Sequence, residues 1–561
     1  MVYVYATKNE LNKYIGKELS VEEIETTLKD LGMDLKGISN DFDPELKIEL
    51  TAEKLDMVSA VGIARAIKYY KKIATQIPEY EVIIGENSLI VDESVNNSRP
   101  KTVAAIIRNI PMNKKILDDM IKIQEKIHDS FGRGRKKAAI GIYPVDEIKF
   151  PIYYNSEKSE DIIFTPLESE IEMNGREILE QHNLGKKYSH LLKDYNTYPV
   201  FRDATNKVLS MPPIINSNDT GRVDIDHQDL FIECTGYNIN HLDNILKVLV
   251  TTFIEYGGQA ESVLVKYPNG ENYVLDLSNR EESLSLNYVN KIIGINIKSD
   301  EVEQYLNKMM FSLSSIQDDI ITLKIPPFKS DIFNDIDIAD DIARAYGYNN
   351  IIPKFPNISS IGNILDISDF KDKISENLTR MGFLELYTYM LSSTTLHFDK
   401  MNLNIEDKEF IKLLDSADQG INMVRTMILP DNLESLRINR KNKYPQKIFE
   451  NGWTIKVDER EDTGAKNEGK LSISIADPKS NYTQIKEVLD TIMSLEQIEF
   501  EVKETELPFL IKGRSANIYV KKELVGFIGE LNPQVLSNFD LLVPVSSLEL
   551  NLDKIFQLIK K

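Results

Sequence analysis

Five aspartates lie within the stretch IPPFKSDIFNDIDIADDIARAYGYNNI, which spans residues 325–351, and four of them are candidate ligands for a metal ion. Asp337, Asp340 and Asp341 stand at i, i+3 and i+4, so on a helix they project from one face. Asp331 lies upstream, in the approach to that helix. Carboxylates this close repel one another, and a hard cation such as Mg²⁺, which prefers oxygen ligands, would offset the repulsion. A solvated acidic face that complements the helix N-terminus is the alternative explanation.

The elements that must position these aspartates follow from the surrounding pattern. Apolar residues recur at helical spacing, which predicts a helix from about Asp335 to Tyr346 that ends at Gly347. Ile320–Ile325 is predicted to be a strand that leads into the acidic motif. Two prolines end this strand, because proline cannot donate to a strand ladder.

A second group of polar side chains is predicted on a strand in LFIECTGYNINHLDNIL, residues 230–246. Glu233 and Thr235 stand two residues apart and therefore share one face of that strand. Upstream, VFRDATNKVLSMPPIINSNDTGRV (200–223) predicts a strand and then a turn that carries Asn216 and Ser217. These residues could form a site, although such an arrangement is more often structural.

A basic cluster occupies the segment FGRGRKKAAIGIY, residues 131–143. Its charged members are Arg133, Arg135, Lys136 and Lys137. One interpretation is a loop that contacts phosphates. The other is a solvated turn in a highly charged protein, and the sequence alone does not decide between them.

Composition restricts the class of protein. The chain has 561 residues, which predicts roughly three to four domains, and its net charge of −21 argues against non-specific coating of nucleic acid. A local basic patch that contacts nucleic acid remains compatible with that charge. A single cysteine excludes an internal disulfide and a multi-cysteine zinc site. No apolar run is long enough for a membrane span, so a cytoplasmic protein without membrane contact is expected.

Several segments resemble one known family, the β subunit of phenylalanine–tRNA ligase in its archaeal and eukaryotic form. The resemblance is strong in residues 124–142, 200–236 and 325–351, and good in MVRTMILPDNLESLRINRKNKYPQKIFENG, residues 423–452. It implies an α+β multidomain fold with a mixed-sheet editing domain, a small winged-helix-like module, and a class II synthetase-like antiparallel-sheet domain that has lost the active site. The domains expected are an N-terminal domain 1–85, an editing and tRNA-binding domain 86–270, a small nucleic-acid-binding-like domain 271–352 with the acidic motif, a linker 353–372 and an inactive catalytic-like domain 373–561.

The resemblance also implies roles for residues. Asp331, Asp337, Asp340 and Asp341 correspond to magnesium ligands that are completed at the boundary with the α subunit. Segments 200–223 and 230–246 correspond to motifs of the family's editing domain. In the family, this domain hydrolyses tRNA wrongly charged with tyrosine. The resemblance then places the editing pocket at five residues of this chain. Glu233 would hydrogen-bond the tyrosyl hydroxyl group, and Thr235 and Ser217 would place a water or hold the terminal adenosine. Asn216 and Leu209 would form the pocket wall.

The expected partners are an α subunit in an α2β2 heterotetramer and tRNA(Phe), with ATP and phenylalanine bound through the α subunit.

In the catalytic-like domain, Arg425 has no nearby glutamate of the kind with which class II enzymes hold ATP. Four places depart from the family pattern: Lys54-Leu55-Asp56 replaces Arg-Pro-Asp, Val61 replaces an acidic residue, Tyr143-Pro144 replaces His-Asp, and Tyr237-Asn238 replaces Thr-Asp.

Two alternatives to an editing ligase subunit stay open. The departures at Tyr143-Pro144 and Tyr237-Asn238 favour a structural, tRNA-binding subunit that does not edit. A free-standing, metal-dependent phosphotransferase built on Asp331–Asp341 is disfavoured, because no nucleotide-binding motif lies near those aspartates.

Overall fold

The computed structural model describes residues 2–51, 53–407, 409–416, 418 and 420–560. The chain forms two compact units, Met1–Phe355 and Pro356–Lys561, and both combine helices with sheets, so the fold is α+β and multidomain. The finer boundaries expected within the first unit stay a prediction. Across the described residues, no helix is long and apolar enough to cross a membrane.

The first unit begins with a three-stranded antiparallel sheet, in the order β1-β3-β2, and three helices. The Ser20 hydroxyl and the Glu23 carboxylate cap the second helix reciprocally, which satisfies backbone donors at its start. The elements are β1 Val2–Thr7, α1 Lys8–Ile15, α2 Val21–Asp30, β2 Asp34–Ile38, β3 Glu45–Leu50 and α3 Ala60–Tyr70.

Two larger sheets follow. One has five strands in the order β4-β15-β6-β14-β7, and the other has seven in the order β13-β12-β11-β8-β5-β16-β17. The elements are β4 Val82–Ile83, β5 Ser88–Val91, β6 Lys101–Arg108, α4 Lys114–Asp129, β7 Ala138–Pro144, β8 Ile152–Lys158, β9 Ile163–Phe164, β10 Met173–Asn174, α5 Gly175–Gln181, α6 Asn183–Tyr188, β11 Thr197–Arg202, β12 Val208–Met211, β13 Ile215–Asn216, α7 Asn218–Gly221, β14 Leu230–Gly236, α8 Ile239–Glu255, β15 Gln259–Ser262, β16 Leu264–Lys266 and β17 Asn272–Tyr273.

Strand β14 is buried on both faces, which explains its nearly continuous apolar sequence. Ile232 and Cys234 pack into the core that contains helices α4 and α8. Phe231, on the opposite face, packs with Tyr143 and Leu209 in a second core. Because side chains alternate along a strand, Glu233 and Thr235 lie on the Phe231 face, as the sequence predicts.

The first unit ends with a three-stranded antiparallel sheet, β18-β20-β19, and three helices. The predicted strand Ile320–Ile325 and the predicted helix Asp335–Tyr346 are both confirmed, and Gly347 follows the helix with φ of 93°. The elements are β18 Arg280–Ser285, α9 Leu286–Ile293, α10 Ser299–Lys308, β19 Ser312–Gln317, β20 Ile320–Ile325 and α11 Asp335–Tyr346.

The second unit is built on a seven-stranded sheet in the order β21-β24-β25-β29-β28-β27-β26, antiparallel except for the β21–β24 pair. Helices α12, α14 and α16 supply one core of this sheet, and α13 and α15 supply the other. The elements are α12 Asp366–Arg380, β21 Leu384–Glu385, β22 Leu391–Ser392, β23 Met423–Val424, α13 Leu429–Ile438, β24 Gln446–Val457, β25 Ala465–Ala476, α14 Tyr482–Leu495, β26 Glu501–Glu504, β27 Leu510–Val520, β28 Glu523–Leu531, α15 Pro533–Asn538, β29 Val545–Asn551 and α16 Leu552–Lys560.

One expectation for this region is wrong. Helix α12 begins at Asp366, so residues 366–372 are helical instead of linker. Arg425 has a glutamate beside it, because its guanidinium donates to Glu450 Oε1 at 2.7 Å. This glutamate pairs with the arginine itself, so the expectation that no glutamate stands in the ATP-holding arrangement stays a prediction. The sequence hides this pair because Glu450 lies 25 residues further along the chain, in strand β24. The Thr388 hydroxyl and the Trp453 carbonyl also accept from Arg425, and the ion pair is fully buried.

Candidate functional site

A cavity of about 810 Å³ opens in the first unit beside strand β14. Helix α4, strands β7 and β14, and the segment from β12 to α7 supply most of its wall. Small-molecule sites commonly have volumes of about 300–1,000 Å³. The polar residues of the wall that matter most are Gln124, His128, Arg135, Ser210, Asn216 and Glu233.

Glu233 is the most chemically distinctive group of this wall. It pairs with Ala104 of β6 and Gly141 of β7, and it is only 2% exposed. Its Oε1 accepts a hydrogen bond from the Tyr143 hydroxyl at 3.1 Å, whereas its Oε2 has no hydrogen-bond partner among the described residues. Burial raises the pKa of Glu233 to about 8, although the Tyr143 hydrogen bond and the Arg99 charge oppose the rise. At neutral pH the carboxyl group is therefore mostly protonated, and Oε2 has unused bonding capacity.

Tyr143 fixes the orientation of this carboxyl group. Its side chain is fully buried, and its hydroxyl lies 2.7 Å from Ser210 Oγ as well as 3.1 Å from Glu233 Oε1. The hydroxyl and the carboxylate pack over Gly141, where an added Cβ would clash with both. The glycine therefore leaves the space in which the Tyr143–Glu233 hydrogen bond forms.

The structure brings only some of the five predicted pocket residues to the cavity. Asn216 lines it beside Glu233, and its Nδ2 lies 3.4 Å from the Ile142 carbonyl. Leu209, Ser217 and Thr235 are not part of the wall that the described residues form. Leu209 is buried in the core, and Ser217 Oγ caps the short helix α7 by accepting from the Asp219 amide.

Thr235 lies on the same face of β14 as Glu233 but bonds a different group, the guanidinium of Arg99. Its hydroxyl oxygen accepts from Arg99 Nε at 3.0 Å, and its carbonyl accepts from Arg99 at 2.7 Å. Burial lowers the pKa of Arg99, with Tyr154 and Glu233 opposing. Thr235 therefore holds a buried guanidinium behind the cavity instead of contacting a ligand.

The basic loop between α4 and β7 divides into two parts. Arg133, Lys136 and Lys137 are exposed, so a phosphate contact and a solvated turn both remain compatible with them. Arg135 instead turns inward to the cavity wall, where it donates to the Ile214 carbonyl at 2.7 Å and to Glu125 at 2.9 Å. One member of the cluster is thus a structural residue of the cavity.

Sequence reasoning missed Tyr143, Ser210 and His128 as residues of this site. His128 Nε2 accepts from the Ile140 amide at 2.9 Å, and its Nδ1 lies 3.3 Å from Glu125 Oε1. Burial lowers the pKa of His128, so the neutral ring that donates from Nδ1 fits both contacts. The departure at Tyr143 from the family pattern was the one signal that could have drawn attention to it.

The four aspartates of the acidic motif have separate partners. Asp337 Oδ2 accepts from the backbone amides of Phe333 and Asn334, and so it caps its own helix. Asp340 accepts from Arg344 Nε at 2.9 Å and from the Tyr348 hydroxyl. The remaining two, Asp331 and Asp341, lie in the interior, where lysine ammonium groups contact them.

Within the described residues, no group of three or more histidine, cysteine, aspartate or glutamate side chains is arranged to hold a metal ion. Magnesium requires nearly octahedral oxygen coordination, and it competes poorly for carboxylates that bond ammonium and amide donors. The arrangement of the four aspartates in this chain therefore does not fit a shared Mg²⁺ ion.

Comparisons with known proteins agree with this architecture. Residues 351–552 match the family model of the phenylalanyl tRNA synthetase beta chain CLM domain, and residues 283–348 match the tRNA synthetase B5 domain. Phenylalanine–tRNA ligase beta subunits are 35% identical over 554 residues in Pyrococcus furiosus and 34% identical over 562 residues in Methanocaldococcus jannaschii. These alignments cover 98% and 99% of this chain, and 99% and 100% of the relatives.

A solved structure matches more than half of the chain. It is an N-terminal fragment of the phenylalanyl-tRNA synthetase beta subunit from Pyrococcus horikoshii, with 36% identity and a TM-score of 0.59. The match spans 61% of this chain and 99% of the fragment.

The fold and these matches together define a subunit of an aminoacyl-tRNA ligase. The identity to curated relatives extends over nearly the whole chain. The chain belongs to the family of phenylalanine–tRNA ligase β subunits.

Proposed function

We propose that this chain acts with an α subunit in an α2β2 heterotetramer that attaches phenylalanine to tRNA(Phe) using ATP. The α subunit carries the synthetic active site and binds ATP and phenylalanine. This chain contributes tRNA binding, and it hydrolyses Tyr-tRNA(Phe) in the cavity beside β14. The single observation that carries the editing proposal is Glu233, a buried acid at the cavity wall with one carboxyl oxygen that has no hydrogen-bond partner in the described part of the chain.

The need for a second site follows from the chemistry of the two amino acids. A hydrophobic pocket for phenylalanine rejects an analogue with an extra hydroxyl group by only about a hundredfold. A separate site that hydrogen-bonds the hydroxyl group discriminates much better, because its own buried polar group stays unpaired when the hydroxyl is missing. Glu233 is such a group, since burial without a second partner carries an energetic cost that a tyrosyl hydroxyl would remove.

The surrounding residues prepare Glu233 for this role. Tyr143 and Ser210 occupy one side of the carboxyl group, so Oε2 is the atom left to bond a ligand hydroxyl. Asn216 offers an amide on the same wall, and Arg135 holds the Ile214 segment of that wall by its carbonyl. In this proposal these residues orient the substrate and leave hydrolysis to a water placed beside the ester bond.

A surface of the second unit supports the α-subunit partner. Leu384, Tyr387, Tyr389 and Leu391 are 65%, 86%, 87% and 48% exposed along one short segment at the edge of the sheet. Aromatic residues are enriched in protein interfaces, and monomers rarely expose several large apolar side chains together. We therefore assign residues 384–391 to the contact with the α subunit.

The second candidate is a structural, tRNA-binding subunit that does not edit. The fully buried Tyr143, which stands where the family has histidine, is the observation that favours it, because it occupies space against Glu233.

Incubation of purified Tyr-tRNA(Phe) with the assembled complex separates the two candidates. Release of free tyrosine faster than the spontaneous rate, together with phenylalanine charging, supports the editing subunit. Normal charging without tyrosine release would establish the structural subunit instead.

A further inference from the structure

Two lysines stand between the aspartates of the acidic motif. Lys54 Nζ lies 2.5 Å from Asp331 Oδ2 and 3.5 Å from Asp341 Oδ1. Lys329 Nζ lies 2.7 Å from Asp341 Oδ2 and also donates to the Met309 carbonyl at 3.1 Å. We call these four charged residues, Lys54, Lys329, Asp331 and Asp341, the lysine–aspartate cluster.

The lysine–aspartate cluster is closed to solvent. The side chains of Lys54 and Asp331 are 8% and 9% exposed, and those of Lys329 and Asp341 are 3% and 2% exposed. Two ammonium groups face two carboxylates, and the neighbouring Asp56, which is 3% exposed, adds a third buried carboxyl group near the Arg65 guanidinium. The Lys329 ammonium also lies over the Phe311 ring, 4.4 Å from its centre.

The charges of the cluster also disfavour a metal ion. A divalent cation placed among these carboxylates would meet two ammonium groups, and like charges this close repel strongly in a buried site.

We propose that Lys54 and Lys329 take the place of a magnesium ion in the acidic motif, so that the lysine–aspartate cluster is a metal-independent clamp within the first unit. Lys54 comes from the segment between β3 and α3, 277 residues before Asp331. The clamp therefore joins the first sheet-and-helix layer of the chain to helix α11 and the loop that precedes it. This inference does not depend on the proposed editing function.

The proposal predicts which charge the fold depends on. Removal of one partner of a buried ion pair leaves an uncompensated charge, which is strongly destabilising. Lys54→Met keeps the length of the side chain but leaves Asp331 without an ammonium partner at hydrogen-bond distance. Lys36→Met is the matched control, because Lys36 also bridges two carboxylates, Asp34 and Glu49, but at the surface.

The experiment measures thermal unfolding and Mn²⁺ binding of the full-length chain, alone and in its nucleotide-free complex with the α subunit. The wild-type chain is expected to unfold at the same midpoint in EDTA and in millimolar MgCl2, and to bind no Mn²⁺ by electron paramagnetic resonance. Lys54→Met should lower the midpoint by roughly 5–10 °C. Lys36→Met should leave it nearly unchanged.

Two results would overturn the proposal. One is a bound Mn²⁺ ion in the wild-type chain that is lost in Asp341→Asn. The other is a Lys54→Met midpoint that falls no further than that of Lys36→Met. If Lys54→Met does not fold, Lys54→Arg is measured in its place. Arginine retains the positive charge, so the unfolding midpoint of this variant should be the same with and without EDTA.

Discussion

Glu233 is a carboxyl group held away from water, and its free energy of ionisation changes when the chain folds. Its pKa is about 8 in the folded chain, against about 4.3 in an unfolded one. Between these pH values the folded state binds one more proton than the unfolded state. The contribution of Glu233 to stability is therefore fully present below about pH 4 and is lost as the pH rises towards 8, at up to about 1.4 kcal/mol per pH unit.

Glu233→Gln removes this titration while keeping the shape of the side chain. The free energy of unfolding of the variant, relative to wild type, should rise steadily between about pH 5 and pH 8. Urea denaturation of the full-length chain at several pH values measures it. Glu157→Gln is the control: burial raises the pKa of Glu157, but Arg202 brings it below its ordinary value, so the effect of this variant should not change between pH 5 and pH 8. A pH-independent difference for Glu233→Gln would contradict the assignment.

Tyr143 acts on the same carboxyl group, because its hydroxyl donates a hydrogen bond to Glu233 Oε1. Tyr143→Phe removes only the hydroxyl, so the kcat/KM for hydrolysis of Tyr-tRNA(Phe) should fall roughly tenfold, as expected for one buried hydrogen bond. Tyr267→Phe removes another buried hydroxyl, which bonds the Thr102 backbone outside the cavity, and it should leave hydrolysis unchanged. Equal losses in both variants would show that Tyr143 supports the fold alone.

At the scale of elements, the register of strand β7 against β14 sets the geometry of the site. Gly141 stands directly opposite Glu233, and its missing side chain leaves room for the carboxylate and the Tyr143 hydroxyl. The same strand also delivers Tyr143, two residues further along and on the same face. A single strand pair thus positions the acid, its hydrogen-bond donor and the space between them.

Gly141→Ala tests this dependence on register. The added methyl group should lower the free energy of unfolding by roughly 1–3 kcal/mol and abolish tyrosine release, because it displaces both polar groups. Gly37→Ala on strand β2 is the control, since its new Cβ would make only an ordinary contact, 3.7 Å from Lys47 Cβ. Wild-type hydrolysis in Gly141→Ala would refute the proposed packing.

Local pattern predicted the elements of the acidic motif but not the partners of its aspartates. Helix α11 and strand β20 were predicted with the bounds that the structure has, because apolar periodicity, a stop glycine and prolines are local signals. The same reasoning placed residues 366–372 in a linker, since helix α12 starts without a side-chain cap that would mark its beginning. Lys54 could not be linked to Asp331 from the sequence, because only the folded chain brings them together.

At the scale of the whole molecule, the candidate site required a resemblance to a known family as well as residue chemistry. Spacing alone put Glu233 and Thr235 on one face but could not show that Arg99 engages Thr235, leaving only Glu233 at the cavity. Tertiary contacts across several strands decide which polar groups stay unpaired, and these contacts have no local signature. The sequence pattern therefore predicts the strand. Only the contacts between the folded sheets distinguish a residue that faces a ligand from a structural residue.

The exposed segment 384–391 carries a prediction at this scale. Tyr387→Ala combined with Tyr389→Ala should weaken association with the α subunit by roughly tenfold or more, because aromatic side chains dominate interface energetics. Analytical ultracentrifugation of the mixed subunits measures it, and Tyr5→Ala, at an exposed tyrosine of the first unit, is the control. Unchanged association of the double variant would place the interface elsewhere.

The most direct test of the editing proposal compares the release of tyrosine from Tyr-tRNA(Phe) with the release of phenylalanine from Phe-tRNA(Phe). The assembled complex should strongly prefer the tyrosyl ester, and Glu233→Ala should reduce tyrosine release by roughly 10–100-fold while phenylalanine charging continues. Glu157→Ala should retain the wild-type preference. A Glu233→Ala complex that still releases tyrosine at the wild-type rate would contradict the assignment of the cavity beside β14 as the editing site.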